Sequence, residues 1–226
     1  MGKLVSYEHS EGIGTITMDD GKVNAMSVTM MQEINAALDQ AEEDGAVVIL
    51  TGRKGVFSAG FDLAVFKQGM EPLMEMLRVG ARLTERLLSF PFPVVAACNG
   101  HGIAMGSFLL MSTDVRIGVD GPFRIGMNEV AIGMTLPYFA VEIARQRLTP
   151  AYFNRGTILA EMYSPQEAVS PGFLDRVVPA DQLLVTARET AAALTKLDMP
   201  AHAATKLRVR GAALEALRQA ITSEFG

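Results

Sequence analysis

Two glycine-containing turns constrain what this chain can fold into more than any other feature. FSAGFDL at 57–63 follows the apolar run 46–50, and NGHGIAMG at 99–106 follows the apolar run 94–98; each turn leads towards a helical pattern. Glycine lets the backbone come close to a ligand, and the first N–H groups of a helix have no helical acceptor. Two such turns are able to aim two N–H donors at one oxygen, which favours an enzyme that acts on an activated acyl group. The plainer alternative is a pair of ordinary strand-to-helix turns.

The composition indicates one sizeable core and argues against several function classes. With 226 residues, 49% of them hydrophobic, the chain is able to bury roughly 70% of its unfolded surface. A net charge of −5 and scattered Lys and Arg argue against nucleic acid as a partner. Cys98, the only cysteine, excludes an internal disulfide and fits a reducing cytosol. No apolar stretch reaches the roughly 18 residues that span a bilayer, so we predict a cytoplasmic protein with no membrane partner.

Local patterns predict an α/β fold. Strand-like runs on either side of a Ser-Glu-Gly turn predict an opening hairpin over 4–18, and Ser27 is the expected N-cap of the first helix. The order strand, turn, helix then recurs from 46 to 118, which is typical of layered α/β architecture with crossover connections. Beyond Pro137 the pattern is mostly helical, and no low-complexity linker separates these helices from the rest.

Glu129 is the candidate for proton transfer. It lies in the mostly apolar segment 123–134, and a carboxylate in apolar surroundings has a raised pKa that suits proton transfer near neutral pH. The alternative is a loop carboxylate that is exposed to water or paired with Arg124. The local sequence leaves both possibilities open.

Other reactive side chains favour structural roles. Cys98 lies in an apolar strand pattern, so we expect a buried, unreactive thiol rather than a nucleophile activated by His101. His101 itself either touches a ligand or hydrogen-bonds within its turn. Ser58 and Ser107 lie beside glycines but outside the Gly-x-Ser-x-Gly pattern of serine hydrolases. No cluster of His and Asp has metal-ligand spacing, so no metal is expected.

Five motifs together make the sequence resemble the crotonase superfamily, also called the enoyl-CoA hydratase/isomerase family. They follow the family's order and spacing and cover nearly the whole chain: VNAM at 23–26, FSAGFDL at 57–63, NGHGIAMG at 99–106, DVRI at 114–117 and DRVVP at 175–179. Five ordered motifs are much more specific than one.

The resemblance implies the architecture and the partners. It predicts an α/β spiral of ββα units, with a crotonase-like core and acyl-CoA site at 1–180. The C-terminal helical region at 181–226 is expected to pack on the core or on a neighbouring subunit, and the family forms trimers or pairs of trimers. The substrate is expected to be an acyl-CoA thioester, with no cofactor because coenzyme A is part of the substrate.

The resemblance also assigns residues to the site. The backbone N–H groups of Phe61 and Met105 match the family's thioester oxyanion hole, and Glu129 matches its catalytic glutamate. The remaining matched positions are expected to bind substrate: Lys22, Val23, Asn24, Ala25, Ser58, Ala59, Gly60, Asp62, Leu63, Gly106, Phe108 and Asn128.

The carboxylates distinguish the reactions of this family. Hydratases generally use two glutamates, but Phe108 stands here at the first of those positions. The pair Asn128-Glu129 and the Gly-x-x-x-Pro stretch at 133–137 are more similar to isomerases that convert 3-enoyl-CoA to 2-enoyl-CoA. We therefore predict an isomerase with Glu129 as a single proton shuttle. A 2-enoyl-CoA hydratase and a non-catalytic acyl-CoA-binding protein are the alternatives.

Overall fold

The computed structural model describes residues 2–226, and Met1 lies outside the described residues. Its strands are β1 Val5–Ser10, β2 Ile13–Met18, β3 Ala25–Met26, β4 Val47–Thr51, β5 Gly55–Ser58, β6 Gly60–Phe61, β7 Val94–Cys98, β8 Gly100–Ile103, β9 Val115–Val119, β10 Ile125–Gly126 and β11 Arg176–Val178. Its helices are α1 Val28–Glu43, α2 Met70–Ser89, α3 Met105–Ser112, α4 Tyr138–Arg147, α5 Pro150–Thr157, α6 Leu183–Leu194 and α7 Met199–Phe225. Short 3₁₀ turns lie at Val65–Lys67, Val130–Ile132 and Ala180–Gln182.

A six-stranded sheet of order β1-β2-β4-β7-β9-β11 forms the centre of the fold. The first two strands are the antiparallel hairpin that the sequence predicts, and the remaining strands pair in parallel. Every residue of β4 and β7 is buried, because α1, α2 and α3 share one apolar core with one face of the sheet and α6 packs against the other face. Coverage of both faces explains their continuous apolar sequences.

A second, smaller sheet repeats the same connection. The strands β5, β8 and β10 form it in parallel, and β3 pairs with β6 beside it. Each strand of the three-stranded sheet follows a strand of the central sheet, and a helix comes after it: β4 and β5 lead to α2, β7 and β8 to α3, and β9 and β10 to α4. The predicted spiral of ββα units is therefore present.

The C-terminal helix α7 packs along α2 and α4 of its own chain. Its apolar residues Leu214, Leu217 and Ile221 belong to the same core as α1 and α3. The sequence left open whether this region covers its own core or a neighbour, and the contacts described here are with its own core. None of the helices within residues 2–226 combines the length and the apolar character needed to cross a bilayer.

A buried group of charges anchors the start of α7. Lys206 Nζ donates to Asp114 Oδ2 at 2.7 Å and to the Phe90 and Phe92 carbonyl oxygens at 2.9 and 3.0 Å. Arg210 lies 3.0 Å from Asp114 Oδ1 and donates to the Leu88 carbonyl at 2.9 Å. The two cations thus neutralise one carboxylate and donate to carbonyls at and just beyond the end of helix α2, which would otherwise lack hydrogen-bond donors.

Candidate active site

The two glycine turns meet in the folded chain. Gly60 has a φ of 100°, and a Cβ at this position would lie 2.8 Å from Ala104 Cβ and 3.6 Å from the Met105 backbone nitrogen. Only glycine permits this conformation and this approach. As a result Phe61, the next residue of the first turn, lies beside the residue that begins α3.

Hydrogen bonds from two buried side chains hold the first turn. Ser58 Oγ donates to the Asn24 carbonyl at 2.8 Å and accepts from the Gly60 N–H at 3.1 Å. The Asn24 side-chain amide donates to the Met18 and Phe57 carbonyls at 2.9 and 3.2 Å. Both side chains are fully buried. The side chains of Asn24 and Ser58 thus support the backbone of the first turn, and the role of these residues in substrate binding stays a prediction.

The second turn is held by Ser107, a residue whose role the sequence reasoning missed. Its Oγ donates to the Gly102 carbonyl at 2.7 Å and accepts from the Gly126 N–H at 3.0 Å, so it joins β8, α3 and β10. A serine in the first turn of a buried and mostly apolar helix was the available signal. Ala104, with a φ of 51°, precedes Met105 as the N-cap of α3, so the Met105 N–H has no helical acceptor.

A cleft of about 490 Å³, counted with its open mouth, lies between the turns and the segment after β10. Its lining includes residues of both turns, of α2 and of the segment that precedes α4: Ala59, Phe61, Leu63, Phe66, Leu77, Ala104, Asn128, Glu129, Ile132, Met134 and Pro137. Among these described residues, Glu129 alone has an ionisable side chain. The sequence reasoning named Ala59, Phe61 and Leu63 but missed the other apolar members, because their types do not distinguish a cleft wall from a core.

The Glu129 carboxyl is buried although it lines the cleft. The residue is 5% exposed, and its Oε2 atom has no hydrogen-bond partner among the described residues. Burial raises the pKa of this carboxyl to about 7, because the charged form loses hydration without gaining a cation. The structure thus selects the buried carboxylate over the exposed or Arg124-paired one.

Phe108 is not among the described residues that line the cleft, and its place among the substrate-binding residues stays a prediction. Its side chain is fully buried and packs edge-on against Phe139, with 5.7 Å between the ring centroids. Two aromatic rings fill the space at this position. A charged carboxylate here would be costly, because an apolar core does not hydrate it. The position that carries an acid in two-glutamate members of the family is therefore part of the core here.

The other predicted substrate-binding residues lie at different depths. Lys22, Val23, Ala59 and Leu63 are exposed around the first turn; Ala25, Asp62 and Asn128 are half-buried; Gly60 and Gly106 are buried. Ala59, Leu63 and Asn128 line the cleft. Gly106 instead permits close packing, since a Cβ there would lie 2.7 Å from the Ser58 carbonyl oxygen.

Neither His101 nor Cys98 contributes to the cleft. His101 Nδ1 accepts from the Arg124 N–H at 3.0 Å, and its ring packs edge-on against Phe123 at 5.3 Å. Burial raises the pKa of the Cys98 thiol to about 12, which keeps it protonated and unreactive. Within residues 2–226, no group of three or more His, Cys, Asp or Glu side chains is placed to hold a metal ion.

The chain and its fold match those of a known family. The family model described as enoyl-CoA hydratase/isomerase matches residues 8–225. The chain belongs to the enoyl-CoA hydratase/isomerase family. This confirms the predicted crotonase superfamily, its fold and the prediction of an enzyme of this family.

Solved structures and curated relatives agree with that assignment. An enoyl-CoA hydratase/isomerase family protein from Pseudomonas syringae is 48% identical, with a TM-score of 0.97 over 98% of this chain and 96% of that one. A Mycobacterium tuberculosis protein, called an enoyl-CoA isomerase in one solved structure and a probable enoyl-CoA hydratase in another, is 45% identical, with a TM-score of 0.94 over 98% and 97% of the two chains in the first. Mouse mitochondrial enoyl-CoA delta isomerase 1 is 31% identical over 88% of this chain and 70% of its own. Other relatives are called enoyl-CoA hydratases. The names therefore support an enoyl-CoA hydratase or isomerase and do not distinguish the two reactions.

Proposed function

We propose that this family member shifts the double bond of a 3-enoyl-CoA to give a 2-enoyl-CoA. The observation that carries the proposal is that Glu129 is the one ionisable side chain among the residues lining the cleft. Hydration needs a water molecule to be both placed and activated, whereas the shift moves a single proton between two carbons. One buried carboxylate, with Phe108 in the core rather than in the cleft, suits the second task.

The proposed reaction proceeds through a dienolate. Glu129 removes a proton from C2, and the electron pair of the broken C–H bond is delocalised onto the thioester oxygen. The N–H groups of Phe61 and Met105 donate to that oxygen and stabilise its negative charge. The protonated Glu129 then delivers the same proton to C4, and the double bond settles between C2 and C3. Asn128, which lines the cleft beside Glu129, is proposed to hold the thioester.

The coenzyme A portion is proposed to lie along the exposed side of the first turn. Lys22, Val23, Ala59 and Leu63 are exposed there, and Ala59 and Leu63 also line the cleft mouth. The remaining residues proposed to support this path through their backbone are Asn24, Ala25, Ser58, Gly60, Asp62 and Gly106. No cofactor beyond coenzyme A is part of the proposal. We further propose a trimer or a pair of trimers, in the cytoplasm, from the resemblance to the family.

A product assay tests the proposal. The protein is incubated with paired 2-enoyl-CoA and 3-enoyl-CoA esters of several chain lengths, and the products are analysed by mass spectrometry. The expected result is conversion of 3-enoyl-CoA to its isomer of unchanged mass, with little addition of water to 2-enoyl-CoA. A gain of one water as the main product would identify a hydratase. Tight binding without turnover at any chain length would identify an acyl-CoA-binding protein.

The pH dependence of the isomerisation reports on Glu129. Because the base must be deprotonated in the free enzyme, kcat/KM is expected to fall about tenfold per pH unit below the pKa of about 7 and to level off above it. The measurement is kcat/KM for a 3-enoyl-CoA across the range in which the protein stays folded. An acid limb that begins well below pH 5, near the pKa of about 4.3 of an unperturbed glutamate, would contradict the buried-base assignment.

A further inference from the structure

Gly80, in the middle of helix α2, contacts the side chains of the two proposed oxyanion-hole residues. A Cβ at Gly80 would lie 2.7 and 2.8 Å from the Cε1 and Cζ atoms of Phe61 and 3.3 Å from Met105 Cε. The glycine is buried, so the Phe61 ring occupies a notch in the helix that any other residue would fill. Its φ is not in the left-handed region, so the side-chain contacts, and not the backbone conformation, require glycine here.

The hydrogen bonds of Asn24 and Ser58 hold the turn as far as Gly60, but the Phe61 backbone itself has few supports. It belongs to the two-residue strand β6, whose pairing with β3 covers only Ala25 with Gly60 and Met26 with Phe61. The next hydrogen bond, from the Asp62 N–H to the Met26 carbonyl, is long at 3.4 Å. A short ladder of this kind resists displacement weakly. Packing of the ring into α2 therefore supplies much of the restraint on where the Phe61 amide lies.

We infer that Gly80 is a positioning residue that sets the geometry of the oxyanion hole through its contacts with the Phe61 and Met105 side chains. The inference rests on the proposed role of the Phe61 and Met105 amides. The side chains of both residues point towards the same notch, so the depth of the notch determines how far their N–H groups reach into the cleft. Glycine is otherwise unfavourable inside a helix, and this packing gives it a reason to be there.

Gly80→Ala tests the inference directly. A Cβ must push the Phe61 ring away and shift its amide, and displacements approaching 1 Å cost up to about a hundredfold in rate. We expect kcat to fall tenfold to about a hundredfold, with KM changed much less because the cleft mouth is untouched. Gly211→Ala, in α7, is the matched control: nothing lies within 4 Å of a Cβ there, so kcat is expected to stay unchanged.

A double-mutant cycle with Phe61→Leu separates positioning from general damage. Leucine lacks the Cε1 and Cζ atoms that a Cβ at Gly80 would meet, and it keeps the backbone amide. Gly80→Ala is therefore expected to cost less than about threefold in kcat when Phe61 is already leucine, a coupling typical of contacting residues. An equal loss in both backgrounds would overturn the inference. If Gly80→Ala alone does not fold, the double variant must fold; its failure to do so would overturn the inference as well.

A spectroscopic readout makes the test independent of the reaction. Hydrogen bonds from both amides polarise the thioester carbonyl, so its stretching band in a bound 2-enoyl-CoA is expected to shift to lower frequency. Gly80→Ala should reduce that shift in infrared difference spectra, and Gly211→Ala should leave it unchanged. A wild-type carbonyl shift without isomerisation would overturn the proposed function and leave this inference standing. An unchanged shift in Gly80→Ala would overturn the inference alone.

Discussion

Glu129→Gln is expected to lower kcat for isomerisation of a 3-enoyl-CoA by about 10⁴-fold. Glutamine has nearly the same shape as glutamate and fits the same buried position, but its amide does not accept the proton from C2. Glu129 is the one ionisable side chain among the described residues that line the cleft, so no neighbouring group there takes over its role. The acid limb of the pH profile should disappear with it.

Substrate binding is expected to survive this change. The oxyanion-hole donors are backbone groups, and the exposed residues around the first turn do not contact Glu129 through any hydrogen bond in the described structure. The dissociation constant of a saturated acyl-CoA, measured by calorimetry, should therefore change by less than about threefold, or about 0.7 kcal/mol. Glu189→Gln on the exposed face of α6 is the control, with wild-type turnover. Retention of a tenth or more of wild-type turnover by Glu129→Gln would refute the proton-shuttle role.

Much of the fold follows from local patterns in the sequence. The opening hairpin, the buried strands β4 and β7 and the helix that begins after Ser27 are all where the sequence predicts them; Ser27 Oγ accepts the Met30 N–H at 3.1 Å as an N-cap does. These features depend on alternation, apolar runs and capping, which neighbours in the sequence determine. The ordered glycine motifs then identified the family.

The details of the site depended on contacts that no local pattern encodes. Asn24 and Ser58 lie in matched motifs 34 residues apart, and neither motif predicts the hydrogen bond from Ser58 Oγ to the Asn24 carbonyl. The packing of Phe108 against Phe139 joins residues from two helices, and the motif around Phe108 does not predict it. The local sequence did not decide whether Glu129 is buried, because the cleft that contains it is formed by segments that precede and follow it in the chain, from Ala59 to Pro137.

Asp114→Ala is expected to destabilise the protein by about 3–5 kcal/mol, because it leaves the buried Lys206 and Arg210 without their counter-charge. Burial lowers the pKa of Lys206 even with the carboxylate present, which shows that its charge is already unfavourable there. Asp114 Oδ2 also accepts the Val94 N–H at 2.7 Å. Asp39→Ala is the matched control: it removes a partner of Arg86 on the surface, where the Asp39 side chain is 64% exposed, and should cost at most about 1 kcal/mol.

Urea unfolding followed by far-ultraviolet circular dichroism measures both effects, since the chain has no tryptophan to report by fluorescence. Equal losses for Asp114→Ala and Asp39→Ala would refute the anchoring role. Lys206→Met gives a further test: if the loss of stability in Asp114→Ala comes from an uncompensated cation, the double variant must lose less stability than the sum of the two single changes.

The number of unfolding transitions also tests the predicted division of the chain into a core at 1–180 and a C-terminal helical region at 181–226. Because α7 shares a core with α1 and α3, loss of its anchor should weaken one cooperative transition; a separate early transition would mean that the C-terminal helices unfold as a unit of their own.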